Sequence, residues 1–249
     1  VEGSVNPDIA TIPPTSFADL GLTLAPGNET FTLATGQHAD TSAPDNQAAL
    51  LKIPFAGTAS VHVNGDSVTP GYRITNSRAT SISQTITTTA ADVDPSDGRI
   101  HVRMSIAPVL TDPGHPVEAQ PYFYIEVLNV TQGTTAFTTF NYSNQPGVAW
   151  QALGAIKYTN WQSVDVPVTG ANVGDQISVR IVAAACSWGG HGGDLYVDSI
   201  STRAAAGLAI SASGPATSLP GSPITYTYTY NNNGAVGTAN NTVTVVAPQ

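Results

Sequence analysis

Apolar and polar side chains alternate with a period of two along most of this chain, and helical periodicity is nearly absent. Between residues 100 and 106, every second side chain is apolar and the side chains between them are polar. Successive side chains of a β-strand point to opposite faces, so this pattern predicts a half-buried strand. Similar alternating segments occupy residues 59–64, 80–88, 164–168, 176–183 and 194–200. The alternation therefore favours an all-β fold.

Residues 122–128 are apolar on both faces, which predicts a central strand covered from both sides. Turn-forming residues separate the strands, as in 64–66, 94–98 and 172–175, because Gly, Asn and Pro adopt the backbone angles that tight turns need. Many strands with such punctuation predict a β-sandwich of the jelly-roll type. Residues 47–52 are predicted to form the one short helical turn.

The composition divides the chain into four parts. Residues 1–16 hold three prolines and little alternation, which predicts an extended N-terminal arm. Residues 17–203 form the predicted sandwich, and the small residues 204–207 form a linker. Residues 208–249 predict three further strands, which bury too little apolar surface to stand alone. This last segment therefore has to pack on the sandwich, pair with another molecule or belong to a longer domain.

Charge and length exclude several functions. The 249 residues include 17 acidic and 8 basic side chains, so the net charge is −9, and Lys52 and Lys157 are the only lysines. Nucleic acids and anionic lipids require clustered Lys and Arg, so neither is an expected partner. No apolar run is long enough to cross a membrane, which predicts that the chain has no transmembrane segment. The start at Val1, without Met or an apolar leader, is expected of a processed exported protein and equally of a chain that was cut at this point.

Two polar, glycine-punctuated clusters bracket the central strands. The first is Asp112-Pro113-Gly114-His115, followed by Gln120-Pro121-Tyr122-Phe123, and the second runs from Cys186 through Gly189-Gly190-His191 to Tyr196-Val197-Asp198. Loops at the ends of a sandwich commonly carry its binding residues. The single cysteine, Cys186, is interpreted as a small buried core residue rather than a reactive thiol.

These two clusters, with Trp161 between them, resemble a module of large bacterial surface proteins that carries "DPGH…QPFF" and "C…GGHFGYAYVD" motifs. The resemblance covers roughly residues 50–203 and implies a jelly-roll sandwich related to carbohydrate-binding modules. Gly193-Asp194-Leu195 stands where that pattern has aromatic residues. Residues 208–249 resemble the first half of an Ig-like repeat of bacterial cell-surface proteins, and the later strands of that repeat are missing. An extracellular or bacterial cell-surface location is therefore expected.

The resemblance also implies a metal site. An Asp at the end of a "YVD" strand helps to hold a structural calcium ion in related jelly rolls, so Asp198 is the first metal candidate and Asp112 the second. His115 and His191 are candidate ligand-binding residues, and they are predicted to converge with these carboxylates on a metal ion or another ligand, since histidine can bind a transition metal. The alternative is that each histidine donates to a backbone carbonyl and fixes its loop.

Trp188 lies in the glycine-rich loop and is the candidate residue for stacking on a sugar. A wider platform would add Trp150, Trp161, Tyr122 and Tyr158, although large aromatic side chains more often fill a core. No spacing of nucleophile and base, paired carboxylates or zinc-protease motif is recognisable, which predicts that the chain is not an enzyme.

Two hypotheses about the function of the chain remain open. The first is a secreted structural subunit of an extracellular filament or cell-surface matrix, in which a strand from one copy completes the sheet of the next. The donated segment would be the N-terminal arm or the strand 242–246, and the predicted assembly residues are Val1, Val5, Ile9, Val243 and Val245. The second is an adhesive or carbohydrate-binding module of a larger surface protein, with glycans as partners.

Overall fold

A computed structural model describes residues 1–26, 31–35, 38–39, 52–53, 55, 59–64, 77–203, 208–213 and 227–232. Within these ranges the helical segments are the short 3₁₀ turns Phe17–Leu20, Ala90–Asp92 and Val117–Ala119. The strands are β1 Glu2–Val5, β2 Phe31–Thr35, β3 His38–Ala39, β4 Lys52–Ile53, β5 Ala59–Val63, β6 Arg78–Thr87, β7 His101–Thr111, β8 Tyr122–Asn129, β9 Thr134–Tyr142, β10 Gln151–Leu153, β11 Ile156–Tyr158, β12 Gln162–Pro167, β13 Gln176–Ala184, β14 Gly193–Ser201, β15 Leu208–Ser213 and β16 Thr227–Asn232.

Two antiparallel sheets face each other. The first sheet has the order β1-β6-β13-β8-β9, and the second has the order β10-β11-β7-β14-β5-β2, with β12 paired to a further stretch of β7. The predicted all-β jelly-roll sandwich is confirmed. The helical turn predicted at 47–52 falls mostly outside the described residues, and Lys52 begins β4.

Alternation in the sequence places the core between the sheets. In β7, Val102, Met104 and Ile106 are buried, and they pack against Ile125 and Val127 of β8 in one apolar cluster. The predicted central strand is β8, which lies between β13 and β9. Its other face is also covered, because Tyr122 and Tyr124 belong to a second cluster on the outside of the first sheet.

The N-terminal residues are part of the sandwich, and the prediction of an extended arm rather than a core strand is wrong for residues 2–5. Residues 2–5 form β1, which pairs with β6 from Glu2↔Ser81 to Val5↔Arg78. Ile9 is only 3% exposed and joins the cluster around Tyr122 and Tyr124. Prolines interrupt the alternation here, so the sequence hides the strand and the buried residue that follows it.

These contacts bear on assembly by strand exchange. Val5 is 73% exposed, but β1 is hydrogen-bonded to β6 of its own chain, and Gly3 also exchanges backbone hydrogen bonds with Ala25 on the other side. Donation of residues 1–16 to a neighbour would have to break these bonds. Val243 and Val245 lie outside the described residues. Nothing in the described contacts supports a filament.

The linker 204–207 also lies outside the described residues. Beyond it, β15 and β16 form a two-stranded antiparallel sheet, with Leu208 opposite Asn232 and Ser213 opposite Thr227. Strands are thus present in the tail, as predicted. The Ig-like assignment stays a prediction.

A hydrogen-bonded carboxylate fixes the turn before β13. Asp175 Oδ2 accepts from Asn129 Nδ2 at 2.9 Å, Gln132 Nε2 at 2.7 Å and the Asn172 backbone N–H at 3.0 Å. These donors, the Asn129 amide foremost, hold the pKa of Asp175 below its usual value although burial acts in the opposite direction. The carboxylate is therefore favoured in the folded chain.

Asp175→Asn should reduce the acid sensitivity of the fold. Because the folded-state pKa of Asp175 is lowered, its stabilising contribution is present above the unfolded value of about 3.9 and is lost as the pH falls through the folded value. Thermal unfolding at pH 7 and pH 3 would measure this. The parent should lose more of its melting temperature than the variant, and an equal loss in both chains would contradict the assignment.

Candidate functional site

Both glycine-punctuated loops lie at the same end of the sandwich. Residues 112–121 connect β7 to β8, and residues 185–192 connect β13 to β14. Leu110 of β7 is opposite Gly193 of β14, and Ala184 of β13 is opposite Tyr122 of β8. Because both pairs are antiparallel, each loop crosses from one sheet to the other beside its counterpart.

Gln120 fixes the first loop. Its Nε2 atom donates to Asp112 Oδ1 at 3.2 Å and to the backbone oxygen of His115 at 3.0 Å, and its Oε1 atom accepts from Ser143 Oγ at 2.8 Å. Asp112 Oδ1 also accepts from the backbone N–H of Gly114, whose φ of 72° requires glycine. The position of His115 is therefore set by a buried amide.

The second loop is closed on itself and tied to its surroundings. The backbone N–H of Cys186 donates to the His191 oxygen at 3.0 Å, and between them Gly189 and Gly190 have φ values of 80° and 90°. Ser187 donates from its backbone to Ala119 of the first loop and from its hydroxyl to Asp8. The second loop is thus held by hydrogen bonds within itself, to the first loop and to the N-terminal segment.

Trp188, His115 and His191 come together where the loops meet. The Trp188 and His115 ring centroids lie 4.4 Å apart with the planes tilted by 40°, and the two histidine rings lie 5.1 Å apart at 85°. Trp188 is 59% exposed, whereas both histidines are half-buried. Trp188 is thus largely exposed, with the His115 ring against it and the His191 ring against His115.

Cys186 lies beneath this cluster and is fully buried. Its Sγ donates to the Gly189 oxygen at 3.1 Å and is 3.4 Å from His191 Nδ1. Burial raises the pKa of the Cys186 thiol, and burial followed by the charge of His115 lowers the pKa of His191. A raised pKa and burial both favour the protonated thiol, which is a weaker nucleophile than a thiolate.

The two carboxylates predicted as metal ligands, Asp112 and Asp198, do not lie together in the structure. Asp112 belongs to the His115 loop, whereas Asp198 lies opposite Ser105, seven residues back along β7. At ~3.3 Å per residue, the backbones of the two residues are roughly 20 Å apart along the strand direction. The prediction that Asp198 converges with the histidines is therefore wrong.

Asp198 has its own partners. It accepts from Ser60 Oγ at 2.7 Å and from Ser199 Oγ at 2.9 Å. Calcium takes about six to eight oxygen ligands, and among the described residues no group of three acidic, histidine or cysteine side chains gathers there. Calcium at Asp198 therefore stays a prediction.

The other large aromatic side chains do not extend the Trp188 surface. Tyr122 and Tyr158 are buried, Trp150 packs on the inter-sheet core, and Trp161 packs on a smaller cluster and on Phe55. These side chains lie in or against the apolar clusters, as large aromatic side chains commonly do. All three tryptophans are among the described residues, and of these only Trp188 has an exposed side chain.

Sequence reasoning missed two buried features of this region. The sequence shows Gln120 only as part of a motif, because nothing in its neighbours indicates that its amide joins two turns. His62 Nε2 lies 3.3 Å from Asp194 Oδ2, and the His62 ring stacks on Tyr196 at 4.3 Å. Both His62 and Asp194 are buried, which makes them an internal support of β14 rather than a surface site.

A cleft between the sheets is a weaker candidate. Its volume is about 250 Å³, and the described residues that line it are mainly aliphatic, among them Val61, Ile82, Val179, Ile181 and Ile200. A polar ligand needs convergent donors and acceptors, and this lining offers few. The Trp188 cluster is the better candidate.

Comparison with family models and with curated protein sequences found no match. Among solved structures, the chain is similar to the CBM27-1 module of Caldicellulosiruptor saccharolyticus in complex with mannohexaose, at 10% identity and a TM-score of 0.35 over 68% of this chain and 82% of that one. A CBM28 module specific for non-crystalline cellulose gives 11% identity and a TM-score of 0.28 over 70% and 75%. The K1 adhesin domain of Lys-gingipain from Porphyromonas gingivalis W83 gives 5% and 0.26 over 68% and 90%. At such values these likenesses carry no inference about what the chain binds.

In the described part of the chain, no helix has the length and apolar character needed to cross a membrane.

Proposed function

We propose that this sandwich is a binding module that takes neutral glycans at Trp188 and does so outside the cell. The observation that carries the proposal is the largely exposed Trp188 side chain, held on a loop fixed by hydrogen bonds at Cys186, Ser187 and Gly189. An aromatic side chain with one open face offers a large contact area at low entropic cost. A fixed loop lowers that cost further because little has to be ordered on binding.

The surroundings of Trp188 suit a sugar. A sugar ring has an apolar C–H face for the indole and hydroxyl groups at its rim. Asp8, Ser187 and His191 lie within the same loop cluster and offer acceptors and donors to such hydroxyls. With a net charge of −9, the chain favours neutral over acidic glycans.

Trp188→Ala tests the proposal. Removal of the stacking surface should weaken glycan binding at least tenfold, which corresponds to about 1.4 kcal/mol. The measurement is a glycan array followed by calorimetry with the best neutral oligosaccharide. Trp188→Tyr should retain part of the affinity, because a smaller aromatic face remains.

Val173→Ala is the matched control. Val173 is 56% exposed, a value similar to that of Trp188, but it lies before the first residue of β13 whereas Trp188 follows the last. It should therefore leave binding unchanged. An array without neutral glycan hits, or equal binding by Trp188→Ala and the parent, would overturn the proposal.

A further inference from the structure

We propose that His115, Cys186 and His191 bind a borderline-soft divalent transition-metal ion, with Zn²⁺ as the best fit. These side chains each offer one donor atom, and the three donor atoms all lie within 4.8 Å of one another. Two imidazole nitrogens and one thiolate form a donor set that Zn²⁺ prefers and that calcium does not. The proposal does not depend on glycan binding.

The spacing suits a shared ion. Zn–S and Zn–N bonds of about 2.3 and 2.0 Å in a tetrahedron place sulfur and nitrogen roughly 3.5 Å apart. Cys186 Sγ and His191 Nδ1 are already 3.4 Å apart. The remaining donor atom, on His115, needs to move by about 1 Å, which rotation of the His115 side chain supplies.

His115 gives an independent indication. Its Nδ1 atom is shielded from solvent and has no hydrogen-bond partner among the residues that the structure describes. A buried imidazole nitrogen without a partner carries a desolvation cost that a bound ion would offset. The backbone oxygen of the same residue is fixed by Gln120, so the ring is held near the other two donors.

Binding changes the chemistry of Cys186 in a defined way. The thiol proton leaves to solvent, the S–H···O contact to Gly189 is given up, and the thiolate forms the bond to the metal. The three protein ligands leave a fourth position for water. Because His115 belongs to one loop and Cys186 and His191 to the other, the ion joins the two loops beneath Trp188.

Metal titration of the whole chain tests this site. After treatment with a chelator, Zn²⁺ should bind with a stoichiometry of one in calorimetry. Co²⁺ should give the near-ultraviolet absorption of a thiolate–cobalt bond together with the visible bands of a tetrahedral ion. A chain that binds no Zn²⁺, or binds Co²⁺ without the thiolate band, would overturn the proposal without requiring any variant.

Variants locate the ion. Cys186→Ala and His115→Asn should each weaken Zn²⁺ binding at least tenfold while the circular dichroism spectrum stays that of the parent. His101→Asn is the matched control, because His101 contacts Asp97 and Asp165 at an exposed acidic cluster and could attract an ion by itself. Binding lost in His101→Asn but kept in Cys186→Ala would assign the ion to that cluster and refute the proposed ligands.

Discussion

Deletion of residues 1–16 should destabilise the sandwich by at least about 4 kcal/mol. The deletion removes the buried side chain of Ile9, which alone contributes about 2–5 kcal/mol on the scale of large-to-small core substitutions. It also removes Asn6, whose Nδ2 donates to the Ala185 oxygen and whose Oδ1 accepts from Tyr122 Oη, so two buried groups lose their partner. Each such loss costs about 1–3 kcal/mol.

Thermal and urea unfolding of the truncated chain would measure this loss. A domain of this size should lose about 2–4 °C of melting temperature per kcal/mol. Val5→Ser is the control, because Val5 is mostly exposed and its backbone pairing is kept. If the truncated chain melts like the parent, the segment 1–16 lies on the surface without contributing to the fold.

Gly193→Ala should be nearly as damaging, by about 3 kcal/mol or more. A Cβ atom at this position would lie 1.9 Å from the backbone oxygen of Ala184 and 3.0 Å from Pro121. Relief requires β13 and β14 to separate at the end that carries the Trp188 loop, and overpacking that shifts side chains and backbone typically costs about 1–3 kcal/mol and occasionally more. At Gly193 the obstructing atom is the backbone oxygen of Ala184 rather than the end of a flexible side chain.

Gly190→Ala provides the comparison within the same loop. Gly190 has a positive φ of 90°, but no atom lies within 4 Å of its hypothetical Cβ. Only the backbone strain of about 1–2 kcal/mol is therefore expected. Chemical denaturation of both variants ranks them, and a larger loss in Gly190→Ala than in Gly193→Ala would show that the close contact with Ala184 is easily relieved.

Much of the fold could be predicted from the sequence because burial and strand periodicity coincide. The residues predicted as strands at 176–183 and 194–200 fall within β13 and β14, both of which have side chains buried in the core. In β9, the side chains from Ala136 to Tyr142 are all half-buried, so the sequence carries no clear alternation and the strand was missed. β1 was missed for a different reason, because proline-rich residues follow it.

The site was predictable only as two loops. Both loops lie at the same end of the sandwich because β7 pairs with β14 and β8 pairs with β13. These pairings join residues that are far apart in the chain. The sequence suggested that His115 and His191 belong together, but it gave no reason to separate Asp198 from them. The burial of Cys186 was expected. Its nearness to both histidines was not, because that depends on the turn at Gly189 and Gly190.

The complete burial of Cys186 has a practical consequence, since it is the single thiol of the chain. A maleimide reagent can reach this sulfur only in molecules in which the 185–192 loop has opened. The labelling rate at low denaturant concentration therefore reports the local opening free energy of the 185–192 loop, separately from global unfolding. A comparison of that rate in the presence and absence of oligosaccharide would read out ligand engagement without any introduced probe.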